Sequence, residues 1–236
     1  MLERLDYIKL APRRVLDAGS GPGRDARALG SRYRAAEVLA LDYALPMLPR
    51  PGRLERWLRR GVMPLCGDFA RLPLASQSVE LIWSNMALHW VNDPLAAFRE
   101  FERVLGAEGL VMFSTLGPDT LKELRAALSG TRVHAFIDMH DLGDMLVAAG
   151  LTSPVMDMEL VQIDYASGAQ LLADLRSSGQ TNARADRARG LRGRDDLKAL
   201  RDAPLRASYE VVYGHAWKRA SAASAVKTVR VFKRIP

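Results

Sequence analysis

Val15-Leu16-Asp17-Ala18-Gly19-Ser20-Gly21-Pro22-Gly23-Arg24-Asp25 is the stretch that decides the fold. A short apolar run closes on an acid, three alternating glycines turn the chain, and a helix pattern follows. The glycines let the backbone pass against a ligand where any Cβ would clash. Asp17 sets a carboxylate beside that space.

Two kinds of nucleotide compete for such a turn. The dinucleotide fingerprint is G-x-G-x-x-G, with its last small residue at the helix start. Here the glycines run G-x-G-x-G, and Arg24 stands where that last glycine belongs. A carboxylate at Asp17 also faces a pyrophosphate badly. It suits a cationic, amine-bearing nucleotide, and S-adenosylmethionine has that chemistry. A glycine-rich turn that holds no ligand is the plainer alternative.

Around this stretch, strand and helix patterns alternate. Residues 14–17, 37–42, 63–66, 79–84 and 109–114 read as strands. Residues 24–33 and 94–105 read as helices, the second with Leu95, Phe98, Phe101 and Leu105 on one face. The alternation predicts a parallel sheet wound on both faces. After Thr115 the pattern changes. A helix is expected over 140–149, then strands over 154–162 and 208–217 with a largely helical, arginine-rich insert between them. Two late strands at the edge of a parallel sheet commonly pair antiparallel. The expectation is therefore a doubly wound, mostly parallel α/β sheet of seven strands with an antiparallel edge. Residues 1–115 form the cofactor-binding core, 116–218 the substrate side of the same domain, and 219–236 a frayed tail.

Composition narrows the class. The chain has 236 residues, 48% of them hydrophobic, enough to build a real core. No apolar run is long enough to cross a bilayer, and the first residues lack the layout of a signal peptide. The single cysteine, Cys66, excludes an internal disulfide and fits a reducing cytoplasm. A formal charge of +7 attracts acidic partners. Nucleic acid fits poorly, because the basic stretches are not interleaved with aromatics.

In open α/β sheets ligands bind outside the carboxyl ends of the strands. Asp17, Gly19, Ser20, Gly21 and Gly23 follow the first strand and Asp42 the second. Asp68 and Phe69 follow the third, and Asn85, Met86, His89 and Trp90 the fourth. Asp42 can accept both ribose hydroxyls, or serve as a helix cap. Asp68 can accept from an adenine amino group with Phe69 packing nearby, or sit in a turn beside a core ring. Asn85 and Met86 can line the methionine end, or form a plain loop.

These residues carry a resemblance. Residues 14–114 look like a class I S-adenosylmethionine-dependent methyltransferase, through 15–24, Leu41-Asp42, Gly67-Asp68-Phe69, 84–90 and 103–110. Segments 114–124, 138–144, 154–157 and 209–217 resemble the malonyl-acyl-carrier-protein O-methyltransferases of biotin synthesis. A respiratory complex I assembly-factor family, implicated in arginine hydroxylation, is built on a similar plan. Members of the biotin family usually begin with a longer helical segment that closes over the cofactor, whereas 13 residues precede the first strand here, and 200–208 looks shortened.

The resemblance implies methyl transfer to the free carboxylate of malonyl-acyl carrier protein or malonyl-CoA. Its alternatives are another small-molecule methyltransferase, or an assembly factor or hydroxylase on the same fold. An ionised acceptor needs no general base. Arg176 is the implied bidentate clamp for the carboxylate, with His89 beside Trp90 as second candidate. His134, His140 and His215 read as structural, and no metal site is expected. Arg184, Arg187, Arg189, Arg192 and Arg194 are the expected docking surface for the acidic carrier.

Overall fold

The computed structural model describes residues 1–50, 52, 61–127, 134–180 and 202–220. Its centre is a seven-stranded sheet. The strands are β1 (Arg14–Ala18), β2 (Glu37–Asp42), β3 (Val62–Cys66), β4 (Val79–Asn85), β5 (Leu105–Leu116), β6 (Leu151–Tyr165) and β7 (Leu205–Lys218). The order is β3-β2-β1-β4-β5-β7-β6. The first five strands are parallel; β7 runs antiparallel to both β5 and β6. The predicted architecture and the antiparallel edge are what the chain forms. β5 through β7 start earlier or run longer than predicted, because ladder pairing continues past the apolar stretch that marks a strand in sequence.

The helices are α1 (Arg24–Arg32), α2 (Pro94–Val104), α3 (Lys122–Ala127), α4 (Met139–Ala148) and α5 (Gly168–Ser177). Asp93 caps α2 by accepting from the Ala96 amide, and Pro94 supplies the fixed φ of a first helical turn. β1 and β4 read as near-continuous apolar runs because both of their faces are covered. One face packs under α2 and α4 through Phe98, Phe101, Phe113 and Leu146. The other packs under α1 through Leu29, Trp83 and Met112.

Leu5 joins that second core, fully buried, from a short 3-10 turn at Leu2–Tyr7. Arg4 of the same turn pairs with Asp157 at 2.6 Å and lies 4.2 Å from the Tyr213 ring centroid. The opening residues thus pack on the sheet face beside α1. Apolar residues at 2, 5 and 8 carry that signal in the sequence, too short a pattern to be read as an element.

β6 and β7 stay paired beyond the last β5 residue, from Leu160↔Glu210 to Tyr165↔Leu205. This ribbon rises past the carboxyl ends of the parallel strands. A small separate core of Leu121, Leu124, Tyr165, Leu171, Leu175 and Ala207 binds α3 and α5 to it. Two carboxylates tie the ribbon to the chain leaving β5. Glu210, buried, accepts from the Asp119 amide at 2.7 Å, and Glu123 accepts from the Ser208 amide and hydroxyl.

Candidate active site

The turn after β1 is built on left-handed backbone. Gly19, Gly21 and Gly23 have φ of +81°, +50° and +73°, which side chains rarely adopt. At Gly19 a Cβ would run into the Ala87 Cβ and approach Phe69 to 2.9 Å; at Gly23 it would meet Pro49. The amides of Gly19 and Ser20 both donate to the Leu41 carbonyl at the end of β2. The Gly21 amide donates to Asp42 Oδ2 at 2.9 Å, and the Ala44 amide to Asp42 Oδ1 at 2.8 Å. The glycine turn and Asp42 are therefore one unit.

Asp17 ends β1 almost wholly buried. Burial, reinforced by the Asp25 and Asp42 carboxylates, pushes its carboxyl up to about 8, against one amide hydrogen bond from Ala26. Asp17 Oδ2 and Ser20 Oγ are buried with no hydrogen-bond partner among the described residues. Buried polar atoms are normally satisfied. Here two acceptors wait beside a glycine cradle, in a site rich in carboxylates. That set fits a cationic ligand with amine donors and does not fit a pyrophosphate.

Asp68 sits on the same rim one strand further out, exposed, its Oδ1 accepting from the Ala70 amide at 3.0 Å. Phe69 is buried between Gly19 and Phe101, with ring centroids 5.9 Å apart for the aromatic pair. Asn85 is spoken for by protein. Its amide donates to Asp25 at 2.7 Å and its oxygen accepts from the Ser114 hydroxyl. Asp25 also takes the Trp83 indole N–H at 2.9 Å. Met86, at φ +53°, is held by donation of its amide to Ser114. Asp25 and Ser114 thus frame the turn after β4. The sequence hides them, since an acid in a first helical turn ordinarily reads as a dipole partner.

Beyond Ala87 lies a partly open cavity of about 200 Å³. Leu88, His89 and Trp90 form one wall, Thr115 and Leu116 another, and His134, Phe136, Ile137 and Leu142 the rest. The His89 ring is 5.2 Å from Trp90 and 6.0 Å from Phe136, centroid to centroid. Both His89 ring nitrogens are buried without a partner among the described residues. Burial, with His134 nearby, pushes the imidazole down to about 4, so it is neutral near pH 7. Arg176 stands elsewhere, exposed in the last turn of α5 and not among the residues that line this cavity. His140 pairs with Asp138 on the surface. His134, read as structural, turns out to line the cavity. Arg184, Arg187, Arg189, Arg192 and Arg194 lie outside the described residues, as do 221–236 of the expected tail. Among the described residues no His, Cys, Asp and Glu cluster has metal-site geometry, and no helix is long and apolar enough to cross a membrane.

Residues 16–113 match the methyltransferase domain family. A malonyl-[acyl-carrier protein] O-methyltransferase from Gallionella capsiferriformans is 48% identical, over 93% of this chain and 82% of its own length. One from Methylovorus sp. is 49% identical, over 92% and 79%. The chain belongs to the malonyl-[acyl-carrier protein] O-methyltransferase family. Among solved structures, the methyltransferase resembles the YcgJ protein of Bacillus subtilis, with TM-score 0.65, 19% identity and coverage of 93% and 97%. It also shares its fold with Haemonchus contortus phosphoethanolamine N-methyltransferase 2 in complex with S-adenosyl-L-methionine, at TM-score 0.57 and 16% identity, over 92% of this chain and 51% of that one. The methyltransferase is an S-adenosylmethionine-dependent enzyme. Its glycine turn and the waiting acceptors of Asp17 and Ser20 are the features of this chain that fit that cofactor.

Proposed function

We propose that this methyltransferase esterifies the free carboxylate of a malonyl group carried as a thioester on acyl carrier protein, or on coenzyme A, early in biotin (pimeloyl) synthesis. The observation that carries this reading is a cavity with no charged side chain in its described lining, which begins at Leu88, the residue after the Ala87 that packs against Gly19. The relatives that bear this name match through the acceptor side as well as the cofactor side, over more than nine-tenths of the chain.

Bound S-adenosylmethionine supplies the methyl carbon as an electrophile on a sulfonium. The chain's residues have three tasks. Asp17, Ser20 and Asp42 hold and orient the nucleoside and the amine against the bare backbone of Gly19, Gly21 and Gly23, with Asp68 and Phe69 on the adenine side and Asn85 and Met86 toward methionine. The cavity beyond Ala87 aligns a carboxylate oxygen with the methyl carbon; alignment of two reactants is worth up to about 7–11 kcal/mol. Its aromatic and aliphatic residues, Trp90, Phe136 and Ile137 among them, limit the water around that oxygen. No general base is needed, because the carboxylate is already ionised. In this reading 1–115 bind cofactor, and 116–218 cover the acceptor. The acidic carrier is drawn by the chain's +7 charge, and the arginines between 184 and 194 are its docking surface. A carrier-bound acceptor and a single thiol go with a cytoplasmic location.

Methyl-labelled cofactor mixed with malonyl-acyl carrier protein tests this. A base-labile labelled ester on the carrier is the expected product. A protein that binds S-adenosylhomocysteine yet forms no ester overturns the reading.

A further inference from the structure

The acceptor carboxylate must be held while it waits for the methyl group, and an arginine clamp is the obvious device. The cavity does not offer one. Its described lining contains no lysine, arginine, aspartate or glutamate; its titratable groups are His89 and His134. Arg176 is exposed on α5, outside that lining. The polar atoms that await a partner there are the two ring nitrogens of His89, buried at the end of the β4 turn.

We propose that His89 is the specificity-determining donor for the acceptor carboxylate, in a cavity whose described lining holds no fixed cation and where the sulfonium itself is the counter-charge. The proposal rests on the acceptor reading above. A ring N–H of His89 donates to one carboxylate oxygen and leaves the other facing the methyl carbon. That oxygen forms the new O–C bond; the C–S bond breaks, its electron pair stays on sulfur, and anion and cation both become neutral. Because charge disappears along this path, a lining without charged side chains favours the products' side of it, whereas a bidentate guanidinium would stabilise the starting carboxylate. The low proton affinity of the imidazole agrees, since it keeps the ring an uncharged donor.

His89→Leu and His89→Gln separate this role from a structural one. With malonyl-acyl carrier protein and saturating cofactor, His89→Leu is expected to raise KM for the carrier substrate about 10- to 100-fold, the worth of one hydrogen bond to a charged group. Its affinity for S-adenosylhomocysteine should not change, which also certifies the fold. His89→Gln keeps an N–H donor and should restore most of the lost KM. A nitrogen NMR signal of the His89 ring, recorded with S-adenosylhomocysteine bound, should shift when malonyl-pantetheine is added. Ester formed equally well by wild type and His89→Leu, or a ring signal that malonyl-pantetheine leaves in place, overturns this proposal alone. So does a KM loss that follows Arg176→Ala instead. No ester from the wild-type chain overturns the acceptor reading and this inference with it.

Discussion

The turn between β1 and α1 meets Ala87 and the cavity beyond β4 begins at the next residue, Leu88, yet the two handle charge in opposite ways. The turn gathers Asp17, Asp25 and Asp42, close enough that each carboxylate resists ionisation of Asp17. The cavity carries no charged side chain in its described lining, and its histidine resists protonation. Both departures come from burial, which penalises whichever form is charged. The difference lies in what must enter. A cation relieves the crowded acids. Under the acceptor reading, a fixed cation would favour the charged carboxylate over the neutral ester it becomes. The two halves also differ in material: backbone conformation shapes the first, side-chain packing the second.

Substitution at the turn should break the contrast hardest. Gly19→Val places a branched side chain at φ +81° against Ala87 and Phe69. We expect cofactor affinity to fall by more than about 100-fold, with a further backbone cost of about 1–3 kcal/mol, read by calorimetry with S-adenosylhomocysteine and by thermal unfolding. Retained affinity would mean the cofactor lies elsewhere. On the acceptor side, Glu210→Ala removes the buried carboxylate that receives the Asp119 amide. Denaturant titration should show a loss of about 1–3 kcal/mol for the unsatisfied group. KM for the malonyl carrier should rise while cofactor affinity holds; equal losses on both sides would erase the division. Arg4→Ala is the mildest. Its ion pair with Asp157 is exposed, so we expect about 1 kcal/mol or less in thermal unfolding and no change in either affinity.

The same division governs what the sequence makes legible. Conformation imposed by the backbone leaves a local mark: Gly19, Gly21 and Gly23 alternate, and acids close successive strands at Asp17 and Asp42. The doubly wound parallel sheet follows from the alternation of strand and helix, with the antiparallel edge read from two late strands. The cavity beyond β4 leaves no such mark. Thr115, Phe136 and Leu142 reach it from three separate segments, and only their packing brings them together. Arg176 and His89 show the limit: both are candidates in the sequence, and only the structure places His89 in the described lining of the cavity and Arg176 outside it. Charge is visible in a sequence, whereas the burial that makes a neutral imidazole an unpaired donor is not. Asp25 was hidden for a similar reason, since its partners Trp83 and Asn85 lie about 60 residues away in the chain.

Asp17 offers the most direct test of the acidic rim. Its folded carboxyl is raised from the usual 3.8 to about 8, so without ligand the folded chain holds a proton that the unfolded chain releases. Its contribution to stability is therefore complete below about pH 4 and lost as pH rises through about 8. A cationic cofactor reverses the preference and expels that proton. Calorimetric titration with S-adenosylmethionine near pH 7, in two buffers of different ionisation enthalpy, counts it. The account predicts that wild type releases about one proton more than Asp17→Asn on binding. Equal proton counts from two proteins that both bind would contradict it.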